Sequence, residues 1–186
     1  AIIFSDFRHG IFDKFSINDL SSVIKNNRSV LKIADSQVAS RWGNICDFKN
    51  FDLITPNEKE ARFSLGDQDS SISNLTRELI KKSKCKRLIL KLGSRGTFVV
   101  DNLKKSNTFS FPSLTSNVVD PVGAGDALLA YSTFGLLASK SIVPASILGS
   151  LAAACQCESD GNIPIDKKTI LKKIENFENN LKERIG

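Results

Sequence analysis

The sequence predicts an α/β fold, a three-layer, mostly parallel sheet with helices on both faces. Two observations predict it. Short apolar runs recur along the chain, and segments with apolar residues at helical spacing lie between most of them. The run Leu88-Ile89-Leu90-Lys91-Leu92 is continuous rather than alternating, as in a strand covered on both faces. Strands that alternate with helices form parallel sheets, whose ligands bind outside the carboxyl ends of the strands.

The elements follow in order. Residues 1–5 read as a short buried strand ending at Asp6. Ser16 and Asp19 offer a cap for a helix carrying Ile17, Leu20, Val23 and Ile24 on one face, closed by Asn26 and Asn27. Residues 30–34 form a second strand before Asp35, and 36–50 a loop holding the single tryptophan, Trp42. Residues 51–55 form a third strand, stopped by Pro56. A short helix over 57–65 ends at Gly66, and a second covers 72–82. After the strand 88–92, the turn Gly93-Ser94-Arg95-Gly96 leads to a strand at 97–100, and 108–111 is an edge strand. A loop over 114–122 precedes helices at 124–138, 144–157 and 166–181, with Pro144 suited to a first turn. Asp6, Asp35, Asn57 and Gly93 fall at or just beyond strand ends, which predicts them on one rim.

With 186 residues, 41% hydrophobic and 25% charged, the chain is long enough for a sizeable core and is expected to form one domain over 1–186. Its apolar runs are too short to span a membrane, and no leader pattern opens it. The four cysteines include no C-x-x-C pair, and the one histidine, His9, is remote from them. Free thiols in a reducing cytoplasm are expected, with no zinc site. The net charge of +6 suits an anionic substrate through steering. Solvated helix faces account for the basic clusters at 81–87 and 167–173, and no nucleic-acid partner is expected. The chain has no methionine and opens in an apolar run, which predicts a C-terminal fragment of a longer protein.

The segment Asp120-Pro121-Val122-Gly123-Ala124-Gly125-Asp126 precedes an apolar helical run. Glycines before a helix let backbone N–H groups converge on an anion, at the end where the helix dipole is positive. A carboxylate there fits a base that takes a proton from a hydroxyl while the amides stabilise a transferring phosphoryl group. An acidic first turn of an ordinary helix is the other reading.

Three segments in order, Thr55-Pro56-Asn57-Glu58-Lys59-Glu60, Lys91-Leu92-Gly93-Ser94-Arg95-Gly96 and the glycine-rich segment above, are expected on the same rim. Together they resemble the ribokinase-like (PfkB) carbohydrate kinases over nearly the whole chain. Ser5-Asp6-Phe7-Arg8-His9-Gly10 is most similar to the heptose-phosphate-type sugar kinases of that family, where Arg8 or His9 would reach phosphate. The resemblance implies ATP-dependent phosphoryl transfer to the hydroxyl of a sugar or sugar phosphate. It implies that Asn57 and Glu60 hold magnesium, largely through water, and that Gly123, Ala124 and Gly125 form an anion hole beside the base Asp126. It places Lys91, Gly93, Gly96 and Asn162 at the nucleotide, with Arg95 a further phosphate contact and Asp35 a lesser polar position. The turn after the second strand pair, the segment 150–154 and the loop 158–164 that follows it would border the adenine, although tight helix packing explains the alanines equally well. The resemblance implies that the sugar-recognising half and the lid of such kinases lie outside this sequence, and that contacts between copies would run through that half. The family usually has threonine where this chain has Pro121, so the hydrogen bond threonine gives the loop or a monovalent cation is missing. A degenerate, non-catalytic nucleotide-binding module is therefore the second reading.

Overall fold

The structure is a computed structural model that describes residues 1–25, 27, 29–37, 44–103, 107–161 and 163–185. Trp42, Asn26 and Asn162 lie outside the described residues. The chain divides into two compact units, Ala1–Phe111 and Pro112–Gly186.

The first unit holds a six-stranded sheet in sequence order: β1 (Ile2–Asp6), β2 (Lys32–Ser36), β3 (Leu53–Ile54), β4 (Arg87–Lys91), β5 (Thr97–Asp101) and β6 (Asn107–Phe111). Strands β1 to β4 are parallel, whereas β4, β5 and β6 pair antiparallel. The sheet is therefore mixed. The reason is the connection: a single 3₁₀ turn, Gly93–Arg95, joins β4 to β5, and so short a link can only reverse the chain. Helices α1 (Lys14–Lys25), α2 (Glu58–Leu65) and α3 (Ile72–Ser83) belong to this unit.

Its core contains Phe4, Ala34, Ile54, Leu88 and Leu90 from the strands, packed with Leu75 and Leu79 of α3. Phe4, Phe48 and Phe51 meet edge to face, with ring centroids 5.2–6.0 Å apart. The alternate residues Ile33, Leu53, Ile89 and Val99 are also fully buried, so the middle of the sheet is covered on both faces.

Two expectations are corrected here. The first strand is only half buried: Ile2 and Ile3 are 39% and 41% exposed, because β1 is the sheet edge. Helix α1 starts earlier than Ser16. The Asp13 carboxylate accepts from Phe15 and Ser16 N–H, and Ser16 Oγ accepts from Asp13 N–H, so Asp13 is the cap. Of the predicted apolar face only Ile17 is buried, and Val23 is 78% exposed.

The second unit contains α4 (Ala124–Ser139), α5 (Ile142–Cys157) and α6 (Lys167–Ile185). Pro144 is the third residue of α5, inside the first turn, where a missing N–H costs nothing. Ile170 of α6 packs on Ala152 and Cys155 of α5, and the Tyr131 hydroxyl donates to the Ile165 carbonyl at 2.7 Å. All four cysteines are free.

Helices α4 and α5 approach closely at two glycines. A Cβ on Gly149 would lie 2.0 Å from Ser132 Oγ and 2.9 Å from the Leu128 carbonyl oxygen. Gly149→Ala is expected to destabilise the chain by about 1–3 kcal/mol through overpacking. Urea unfolding checks this, and the double variant with Ser132→Ala should recover part of the loss.

Candidate active site

The parallel strands β1 to β4 bring Asp6, Asp35, Asn57 and Gly93 to one edge of the sheet, as expected from their positions at strand ends. Asn57 sits between β3 and α2 and bridges to Lys91 at the end of β4. A reciprocal pair of hydrogen bonds fixes it. Asn57 Oδ1 accepts from the Glu60 N–H at 2.8 Å, and Glu60 Oε2 accepts from the Asn57 N–H at 2.7 Å. This capping box satisfies two amides that a helix start leaves without partners.

Glu60 is only 5% exposed. Burial pushes its carboxyl up to about 7, since the charged form loses water. Lys91 opposes that rise and Asp35 adds to it. The Lys91 ammonium itself is held by Asp35 Oδ2 at 2.9 Å, and the other Asp35 oxygen is buried with no hydrogen-bond partner among the described residues. The cluster Asp35, Lys91, Glu60 and Asn57 is therefore one electrostatic unit. A cavity of about 860 Å³ opens beside it, lined by Asn57, Lys59, Arg62, Lys91 and Gly93 among others.

Gly93 and Gly96 have φ of +61° and +85°, conformations that side chains rarely adopt, which explains glycine at both ends of this turn. Arg95 is ion-paired with Glu58, and Glu58 also binds Arg62 at 2.8 Å. The Arg8 guanidinium is bound by Asp6 at 2.8 Å, and Asp6 also accepts from Ser36 at 2.9 Å. The Glu58 bridge to Arg95 was missed by sequence reasoning; the spacing of Glu58 to Arg62 alone was a readable signal.

The glycine-rich segment belongs to the second unit. Gly123 has φ of +81° and is the N-cap of α4, so Ala124, Gly125 and Asp126 form the first turn of a 16-residue helix. That turn combines amides without intrahelical acceptors and the positive end of the dipole. Asp126 is half-buried there. The segment 150–154 lies inside α5, with Ala152 and Ala154 buried as packing residues.

The Asn57–Glu60 pair suits magnesium, which keeps much of its water and takes one or two carboxylates. Among the described residues no group of three or more His, Cys, Asp or Glu side chains could hold a metal unaided. No helix among them is long and apolar enough to cross a membrane.

Glu60 also makes a stability prediction for the chain without divalent ions. Its folded value of about 7 exceeds the 4.5 of an unperturbed glutamate, so the folded chain holds the extra proton. That contribution is full below the unfolded value and is lost as pH rises through about 7. Glu58, Glu158 and Asp13 are shifted down and act at more acidic pH. Urea midpoints should therefore fall from about pH 5 to pH 8, and Glu60→Gln should flatten that fall.

Residues 13–169 match the pfkB family of carbohydrate kinases. A bifunctional protein HldE from Helicobacter pylori is 27% identical over 154 residues, covering 83% of this chain and 32% of the relative. Its counterpart in Sulfurimonas denitrificans is 26% identical over 185 residues, covering 97% of this chain and 36% of the relative. The chain thus spans about a third of the length of these curated relatives. Among solved structures, Arabidopsis thaliana ribokinase complexed with ribose and ATP is similar in fold, with a TM-score of 0.72 and 22% identity over 87% of this chain and 52% of that one. Phosphofructokinase-2 from Escherichia coli in complex with potassium gives 0.73 at 20% identity, again over 87% of this chain and 52% of that one. The six-stranded sheet, the strand-end residues and the extent of the sequence match agree: the chain belongs to the pfkB family of carbohydrate kinases.

Proposed function

We propose that this chain is the ATP-binding part of a sugar kinase, and that the whole protein transfers the γ-phosphoryl group of ATP to a hydroxyl of a sugar or sugar phosphate. The observation that carries the reading is the buried Glu60 carboxyl, locked to Asn57 beside a cavity at the strand ends. A buried carboxyl of raised pKa beside a cavity marks a candidate ligand site, because its charged form is unfavourable without a counter-charge.

Each residue has a role in this reading. Asn57 and Glu60 hold hydrated magnesium against the phosphates. Magnesium supplies neutralisation of phosphate charge when bound. Gly93 and Gly96 shape the turn on the nucleotide side, and Lys91 binds the nucleotide. Lys91 does so while its ammonium is anchored to Asp35. Asp126 takes the proton of the sugar hydroxyl as that oxygen bonds to the γ-phosphorus. The bond from the γ-phosphorus to the bridging oxygen breaks, and ADP leaves with the electron pair. The amides of Gly123 and Gly125 stabilise the charge on the transferring group, while that of Ala124 donates to the Pro121 carbonyl and holds the turn, so positioning and electrostatics do most of the catalysis. ATP is the donor by analogy with the ribokinase that binds it. A heptose phosphate heads the panel of acceptors, and a cytoplasmic setting fits the four free thiols.

A second reading, a nucleotide-binding module without catalysis, draws on Pro121. One substitution separates the two. Asp126→Asn in the whole protein should lower kcat by roughly 10²- to 10⁴-fold, the usual worth of a general base, with ATP affinity barely moved. A binding module would show no ATP-dependent transfer to lose. The chain by itself should bind ATP weakly in titration calorimetry and turn over little or no sugar.

A further inference from the structure

The end of α5 carries an acid where an acid is out of place. Glu158 is the C-cap of α5, at the negative end of the helix dipole. Two partners offset this. Lys173 of α6 reaches both carboxylate oxygens, at 2.7 and 2.9 Å, and the Ser116 N–H donates to Oε1 at 2.6 Å. Burial raises the carboxyl, but these hydrogen bonds outweigh it and the group stays below the usual glutamate range. The pair is largely shielded, with 16% of the lysine and 26% of the glutamate side chain exposed.

The adjacent residue holds the same loop. The Cys157 carbonyl accepts from the N–H groups of Val119 at 2.7 Å and Asp120 at 3.1 Å. A helix leaves its last carbonyls without partners, and here the loop supplies them. Onward from Asp120, its carboxylate accepts from the Val122 N–H at 2.9 Å, and the Ala124 N–H donates to the Pro121 carbonyl at 3.2 Å. Hydrogen bonds from the neighbouring residues Cys157 and Glu158, the latter held by Lys173, thus fix residues 116, 119 and 120, and two further bonds shape the turn that precedes α4.

We infer that Glu158 is a positioning residue: clamped by Lys173, it fixes the loop over residues 116–120 and so aims the amides of Gly123 and Gly125. The catalytic part of this inference rests on the kinase reading above. The loop-holding part does not. Glu158 touches neither nucleotide nor sugar in this role. It acts through the loop, and α6 becomes part of the catalytic framework rather than a helix packed on its surface.

Amide exchange of the chain and turnover by the whole protein test it. Glu158→Ala should speed exchange at residues 116–125 by about 10-fold, leaving amides in the middle of α4 and α5 unchanged. In the whole protein it should lower kcat roughly 10-fold with little change in KM for ATP, because misaimed groups lose transition-state contacts first. Lys173→Met should act in the same direction. Lys173→Arg, which keeps the charge, should restore both readouts. Unchanged exchange in the loop overturns the inference. So does faster exchange spread evenly over the second unit with kcat per folded molecule unchanged, the mark of an ion pair that only stabilises. If the wild-type whole protein transfers no phosphoryl group, the kinase reading falls, and loop exchange still decides for or against the clamp.

Discussion

The carboxyl edge of the sheet depends on the two hydrogen bonds between Asn57 and Glu60. They start α2 at the end of β3, and the same bonds orient both side chains. A capping box usually lies in water, where its glutamate is a cheap charge. Here the glutamate is buried, and its environment works against ionisation. Lys91 is the charge that opposes this, and it is divided between Glu60 and Asp35. One lysine thus balances two carboxyls, one on β2 and one in the first turn of α2. The edge is held together by backbone capping, and its buried carboxyls share a single ammonium.

Local patterns were legible where local forces decide. The alternation of strands and helices, the αL end of α2 at Gly66 and the glycine turn after β4 all follow from residue chemistry within a few positions. The cap of α1 shows the limit. Ser16 with Asp19 resembles a capping box as closely as Asn57 with Glu60 does. Asp13, three residues earlier, wins because its carboxylate collects two amides at once. The exposure of Ile2 and Ile3 was not legible either, because burial of a strand depends on its neighbour in the sheet, and β1 is at the edge.

Contacts between distant residues were the least legible. Asp35 and Lys91 are 56 residues apart, and nothing near either one announces the pair. The basic run 81–87, which begins in the last turn of α3, is similar. As a sequence it reads as a solvated cluster. In the fold Lys82 donates to the Ser64 carbonyl, Lys86 pairs with Asp52 at 2.7 Å, and Arg87 approaches Asp101 at 4.0 Å. Much of that positive charge is therefore spent on the fold, which weakens any reading of the basic balance as a surface for nucleic acid.

Pro121 takes on a different meaning once the loop is seen. As a departure from the family's threonine it removes a hydroxyl and an N–H. The turn it occupies uses neither. Asp120 accepts from the Val122 N–H across Pro121, an Asx turn whose middle residue contributes no donor, and the proline ring presets φ there. The Pro121 carbonyl then accepts from Ala124, and Gly123 supplies the left-handed conformation that enters α4. The loop closes on backbone groups, on one aspartate and on the end of α5. The hydrogen bonds that support the turn before α4 come from Asp120, the Pro121 carbonyl and the end of α5. Pro121 is thus weak grounds for regarding the segment as degenerate, and the shape of the Gly123–Asp126 entry into α4 is the stronger guide to what it does.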